Sequence, residues 1–176
     1  MIYGLIVIVP TWFLVITLIQ RNLVLRRLKA EKSFVQKLFF YHLILSIAYY
    51  VYALYNPSDS IAYYNKVLVG LRGENWMDFY GTSTTFIEWV GYPFIKFFDF
   101  SYEAIMALFS FFGFLGMYFL FLFFLEKGRS KVSFMGFPLL HLVFLLPNIH
   151  FWSSSFGKGS LIFFGIALIF YSLSHL

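Results

Sequence analysis

The chain has 176 residues, of which 61% are hydrophobic, 24% aromatic and only 12% charged, with a mean hydropathy of +0.79. A soluble domain carries about a quarter charged residues, so half that share, set among long apolar runs, reads as an integral membrane protein. The net charge of +5 does not indicate a nucleic-acid partner, because the basic residues flank apolar runs instead of forming one basic face, and the absence of cysteine excludes a disulfide framework or a thiolate site.

Residues 2–19 form eighteen positions without a charge, enough to cross a hydrocarbon core of about 30 Å. No basic residues precede the run and no small-residue cleavage site ends it, so it reads as a retained helix, with Pro10 kinking its middle. Residues 20–37 then carry Arg21, Arg26, Arg27, Lys29, Lys32 and Lys37 against the single acid Glu31. Two readings apply: an anionic-lipid or nucleotide site, or a topology signal that keeps this loop in the cytoplasm and the N-terminus outside. The second span is 38–55, with His42 inside it and Tyr41, Tyr49, Tyr50, Tyr52 and Tyr55 along it; tyrosines at a span end form an interfacial belt. His42 is either a proton relay or a hydrogen-bonded structural histidine.

Residues 56–102 are the one long polar interval. With Glu103 at its edge, the interval holds six of the eight acids: Asp59, Glu74, Asp78, Glu88, Asp99 and Glu103. Asn56-Pro57 ends the preceding helix, and Ser58, Asp59 or Ser60 can cap the next. Ile61, Tyr64, Leu68 and Leu71 recur at helical spacing and predict a short amphipathic helix on the membrane surface, ended by Gly70 or Gly73. A second short helix is predicted from Thr82 or Ser83 through Phe86 and Trp89 to Gly91, before Pro93.

Residues 104–125 are the clearest span, and Ala104, Ala107, Ser110, Gly113 and Gly116 set a small residue at every third position, a track that lets another helix approach closely. A second basic loop follows at 126–131. Residues 133–147, with Pro138 and His141, are apolar but short for a span; 148–160 form a polar break, and 161–176 are apolar to the end of the sequence. A break between two such runs is expected to dip into the membrane, where protein or a wet cavity must surround it. The predicted fold is therefore all-α: a polytopic transmembrane bundle of about five spans (2–19, 38–55, 104–125, 133–147, 161–176), one membrane domain with an outer loop at 56–102, and expected to continue beyond its C-terminus. The two inner loops hold nine basic and two acidic residues, the outer segments four and six.

Soluble-type motifs are absent. Ser153 to Ser155 lack the Gly-x-Ser-x-Gly setting of a nucleophile elbow, Gly157-Lys158-Gly159-Ser160 lacks the upstream glycine and strand of a phosphate loop, and His42, His141, His150 and His175 are not at metal-ligand spacing. No cofactor and no metal are expected. What remains is Asp59 after a span, followed by Tyr63 and Tyr64, and the 147–160 stretch with His150, Trp152, the serines and Lys158.

Those two features resemble membrane glycosyltransferases of the GT-C type and the bacterial polysaccharide polymerases that share their architecture: an outer-loop Asp and tyrosine after an early span, then a later proline, polar turn, serines and aromatic-rich helix. The resemblance covers about a third of the chain, and Gly159 and Ser160 stand where an acid often follows the later motif. It implies a protein of the bacterial inner membrane acting on a sugar carried by a polyprenyl phosphate. Asp59 would be the base, with Lys158 and Arg72 facing the lipid phosphate and His150 and Trp152 contributing to substrate binding. A hydroxyl nucleophile needs proton removal and a departing phosphate needs cationic stabilisation. Beside these roles stand plainer ones: a helix cap for Asp59, and a snorkelling interfacial charge for Lys158. The alternative function is a non-catalytic membrane subunit that docks partner helices on the small-residue track. A transporter is disfavoured, since only histidines interrupt the span middles.

Overall fold

The computed structural model describes residues 2–127 and 132–175, with side chains from Ile6 onward. The part of the second basic loop at 128–131 lies outside the described residues. Helix accounts for 78% of the chain and strand for 2%, which makes the fold all-α. The helices are α1 (Ile2–Arg21), α2 (Leu23–Arg27), α3 (Lys29–Tyr55), α4 (Asp59–Leu68), α5 (Thr84–Tyr92), α6 (Tyr102–Glu126), α7 (Leu139–Phe144), α8 (Pro147–Ser153) and α9 (Lys158–Leu173). A 3₁₀ turn at Trp76–Phe79, a π turn at Pro93–Phe97 and an antiparallel hairpin, β1 (Ser133–Phe134) with β2 (Phe137–Pro138), complete it.

Among the described residues two helices are long and apolar enough to cross a membrane, α3 with 27 residues and α6 with 25, and the bent α8–α9 pair is so if counted as one span. α3 is apolar outside as well as inside. Ile44, Ile47, Val51 and Leu54, at helical spacing, point outward, while Val35, Leu38, Phe39 and Ala53 are buried with His42 and Ser46. A helix with an apolar outer face is matched to lipid rather than water.

The basic interval predicted as a loop is helical. Asn22 accepts from the amides of Val24 and Leu25, both at 3.0 Å, which starts α2. Leu25 and Val35 are then fully buried, while Arg26, Arg27, Lys29 and Lys37 keep at least part of their surface in solvent. The two buried anchors, with the partly buried Val24 and Phe34, hold the basic segment on the bundle, and charge alone does not disclose them. α1 continues through Pro10 to Arg21 and packs on α6, where the Tyr118 hydroxyl donates to Leu18 O at 3.2 Å.

The expected span at 133–147 has different limits. Residues 133–138 form the hairpin, and α7 and α8 run beside α3 in its own direction: His141 meets Glu31, His150 meets His42, and Phe151 packs on Tyr49 and Tyr52. Pro147 has no amide hydrogen to continue α7 and instead opens α8. α8 and α9 are bent by 110° at the polar break, and α9 returns along α6, with Phe164 on Phe112, Tyr171 on Phe119 and Phe170 on Phe123.

The small-residue track is filled from within the chain. A side chain at Gly113 would run into the carbonyl oxygen of Ser153, and one at Gly116 would reach Phe163 at 2.6 Å. Two apolar cores result. One joins α1, α2, α3, α6 and α7 around Phe121, Leu38 and Phe114. The other joins the interval 56–102 to the bundle through Tyr63, Val67, Phe79, Ile87, Phe109 and Phe156.

Candidate functional site

The interval 56–102 folds over the end of the bundle where α3 finishes, α6 starts and the α8–α9 break lies. Ser58 is the N-cap of α4, accepting from the Ser60 amide at 3.3 Å; Asp59 is the first helical residue and is exposed. The buried face of α4 is Ser60, Tyr63 and Val67. The predicted apolar face is only partly turned inward: Ile61 and Tyr64 are half-buried, and Leu68 and Leu71 are exposed. The spacing is helical on both faces, and Tyr63 wins the inner one because its ring meets Phe156 edge-on at 6.3 Å. Burial, and then the Asp59 carboxylate hydrogen-bonded to it, pushes the Tyr63 phenol above its ordinary value. Through Tyr63 and Phe156, Asp59 and Lys158 therefore share one end of the molecule.

α5 starts at Thr84 and runs past Gly91 to Tyr92, where Pro93 begins the π turn. Its inner face holds a carboxylate. Glu88 is fully buried, accepts from Arg72 Nε at 2.6 Å, and lies 3.4 Å from Lys66 Nζ. Arg72 is thus tied to Glu88, with about a third of its side chain still open to solvent. Next to Glu88, Trp89 stacks on Trp76 with centroids 5.1 Å apart and accepts from the Trp76 indole through its backbone oxygen at 2.8 Å. Tyr80 and Phe86 pack against Trp89 in turn.

Between this aromatic group and α9 lies a cavity of about 420 Å³, with Tyr80, Thr82, Ser83, Phe86, Lys158 and Leu161 among its walls. Lys158 is the sequence-predicted residue that the structure places there; Asp59, Arg72, His150 and Trp152 do not line it. Ser83 adopts φ 58°, a backbone setting that costs a non-glycine residue roughly 1–3 kcal/mol and tends to occur at functional sites. The wall chemistry combines one ammonium, hydroxyls, aromatic faces and aliphatic side chains.

The polar break is packed within the protein. Ser153 to Ser155 are buried; Ser153 and Ser154 hydroxyls return to Ile149 O and Phe151 O, and Ser160 closes the turn on Ser155 O and Gly157 O. Trp152 is 60% exposed on the outside of α8. His150 is fully buried, with its Nε2 at 2.6 Å from Phe144 O and its Nδ1 at 3.0 Å from His42 Nδ1. Among the described residues no group of three or more His, Asp or Glu converges to hold a metal.

Sequence reasoning did not single out Glu88, Tyr80, Thr82, Ser83 or Phe86. Glu88 carried a signal: a lone acid between Ile87 and Trp89 falls on the apolar face of a short helix and must be paired if buried. The cavity walls carried none, since Thr82, Ser83 and Phe86 read only as the start of a short helix. No known protein family matches the chain, and no curated protein or solved structure matches it.

Proposed function

We propose that the chain is a membrane glycosyltransferase or polysaccharide polymerase of the GT-C kind, acting on a polyprenyl-phosphate-linked sugar at the outer face of a bacterial inner membrane. The observation that carries this reading is the cavity beside α9. Lys158 offers a cation to a phosphate, Tyr80 and Phe86 offer faces to a sugar ring, Thr82 and Ser83 offer hydroxyls, and Leu161, Ile162 and Ile87 offer apolar surface to an isoprenoid. Asp59, on the same end, serves as the base in this reading. Arg72 acts from its Glu88 pair as a flanking cation, and Trp152 meets the lipid beside the break. His150 contributes by holding α8 from behind.

In the membrane, α1, α3, α6, the α7–α8 pair and α9 are five crossings, with the N-terminus and 56–102 outside. The ladder of contacts from Glu31–His141 through His42–His150 to Tyr63–Phe156 supports α7–α8 as the fourth. The competing reading, a subunit that docks partner helices on the small-residue track, loses support at Gly113 and Gly116, which α8 and α9 already cover.

Binding of a polyprenyl phosphate to the purified protein in nanodiscs tests the proposal. A charge-assisted contact contributes roughly 1.5–3 kcal/mol, which is about tenfold or more in affinity. Lys158→Gln should lose that much, and Trp152→Leu much less. Equal binding by Lys158→Gln and the parent protein rejects the cavity as the phosphate site.

A further inference from the structure

Two imidazoles meet inside the bundle, away from the cavity and unused by the proposed chemistry. His42 comes from the middle of α3 and His150 from α8, and both are buried. They form one continuous line of contacts. Ser110 O lies 3.0 Å from His42 Nε2, the two Nδ1 atoms are 3.0 Å apart, and His150 Nε2 lies 2.6 Å from Phe144 O.

Each of these three contacts needs one hydrogen. The carbonyl oxygens at both ends can only accept, so each Nε2 must carry a proton. A neutral imidazole carries one proton, and the two are then used up at the ends. The facing Nδ1 atoms would be two lone pairs at hydrogen-bond distance, with nothing between them.

We propose that His42 and His150 together are a proton-binding site, in which one further proton is shared between the two Nδ1 atoms. The pair is then an imidazole–imidazolium, and the bound proton is the link between α3 and α8. The surroundings supply acceptors but no counter-charge. Ser110 and Phe114 face the rings from α6, Phe144 from α7, and the Tyr41 ring lies edge-on to His150 at 4.9 Å with its hydroxyl donated to Leu145 O. Ser46, also from α3, bonds His42 O and the Ser110 hydroxyl. Among the described residues no carboxylate, lysine or arginine contacts either ring, so the two carbonyls and the second imidazole alone hold the charge. A space of about 10 Å³, mostly apolar but with Thr11 and Ser110 in its walls, adjoins His42. The inference concerns proton content alone and stands apart from the transferase reading.

Nitrogen-15 NMR of histidine-labelled protein in lipid bilayers counts the protons directly. On acidification from about pH 8 to about pH 4, across and below the ordinary imidazole range of about 6.5, the pair should take up one proton in a single step and then show three proton-bearing nitrogens, with one proton coupled to both Nδ1 atoms. Raising the pH should remove that proton from both rings in a single step. His42→Gln should return His150 to a neutral ring protonated at Nε2. The parent spectrum decides the matter by itself if that variant fails to fold. Two protons over that whole pH range with one bare Nε2, or two rings titrating independently, overturns the shared site.

Discussion

Arg72 donates its Nε–H to Glu88 Oε2 at 2.6 Å, and the carboxylate that receives it has no exposure to solvent. The two partners are not equivalent. Glu88 depends on Arg72 and on Lys66 at 3.4 Å, whereas Arg72 and Lys66 each keep about a third of their surface in solvent. Removing one partner of a fully buried pair costs roughly 3–5 kcal/mol because the other charge is stranded. Lys66 remains near Glu88, so Arg72→Ala should cost about 2–3 kcal/mol. Glu88→Gln strands no charge, and should cost about 1 kcal/mol for a weakened hydrogen bond. The double variant should recover part of the Arg72→Ala loss. Thermal unfolding of the four proteins in detergent, as a double-mutant cycle, checks this; Glu88→Gln more damaging than Arg72→Ala contradicts the asymmetry.

Two helical glycines should respond in opposite directions to an added methyl. Gly113 faces the Ser153 carbonyl across the α6–α8 contact, while nothing lies within 4 Å of a side chain at Gly165 in α9. Gly113→Ala should destabilise by about 1–3 kcal/mol through overpacking. Gly165→Ala should stabilise by about 0.5–1 kcal/mol, the ordinary gain on replacing glycine in a helix. Melting temperatures in the same detergent read both, and a tolerated Gly113→Ala would show that α8 is not seated on α6.

The apolar runs made α3, α6 and α9 legible, because a helix that must satisfy its own backbone in lipid announces itself by composition. Ser58 was among the predicted caps, and the 110° bend at residues 154–157 falls inside the predicted break at 148–160, whose first half is helical. α2 was missed because six basic residues hide the one buried Leu25 that anchors it. The site was less legible than the fold. Lys158 stood out by its isolation, but Tyr80, Thr82 and Phe86 reach it only through the tertiary packing of α5 beside α9. The His42–His150 contact spans 108 positions, and no local pattern encodes such a pairing.

Orientation has a direct readout. The proposed inner loops hold nine basic and two acidic residues, and the outer segments four and six, so the positive-inside rule predicts 56–102 outside. The chain has no cysteine, and single probes therefore start from a silent background. Asn75 and Lys29 are both exposed. An impermeant thiol reagent applied to intact cells should modify Asn75→Cys and leave Lys29→Cys untouched until the membrane is opened. The reverse pattern rejects the layout, and the proposed outer-face chemistry with it.

Asp59 separates a catalytic carboxylate from a structural one more cleanly than the sequence allowed. Ser58 caps α4 and bonds the Ser60 amide, so the helix start does not rest on Asp59. Asp59 is exposed, and the neighbouring Tyr63 phenol is held protonated by burial and by the carboxylate itself, leaving it a hydrogen-bond donor to Asp59. If Asp59 removes a proton from an acceptor hydroxyl, Asp59→Asn should lower polymer or glycolipid formation by about 10²–10⁴-fold, the usual worth of a positioned base. Its level in the membrane should be unchanged. Ser58→Ala should behave in the opposite way, costing about 1 kcal/mol of stability while keeping turnover in the protein that folds. Activity of each variant, normalised to membrane-inserted protein, distinguishes them. Full activity in Asp59→Asn removes Asp59 from the chemistry. A comparable loss of turnover in Ser58→Ala assigns the effect to the geometry of the α4 start instead of the carboxylate.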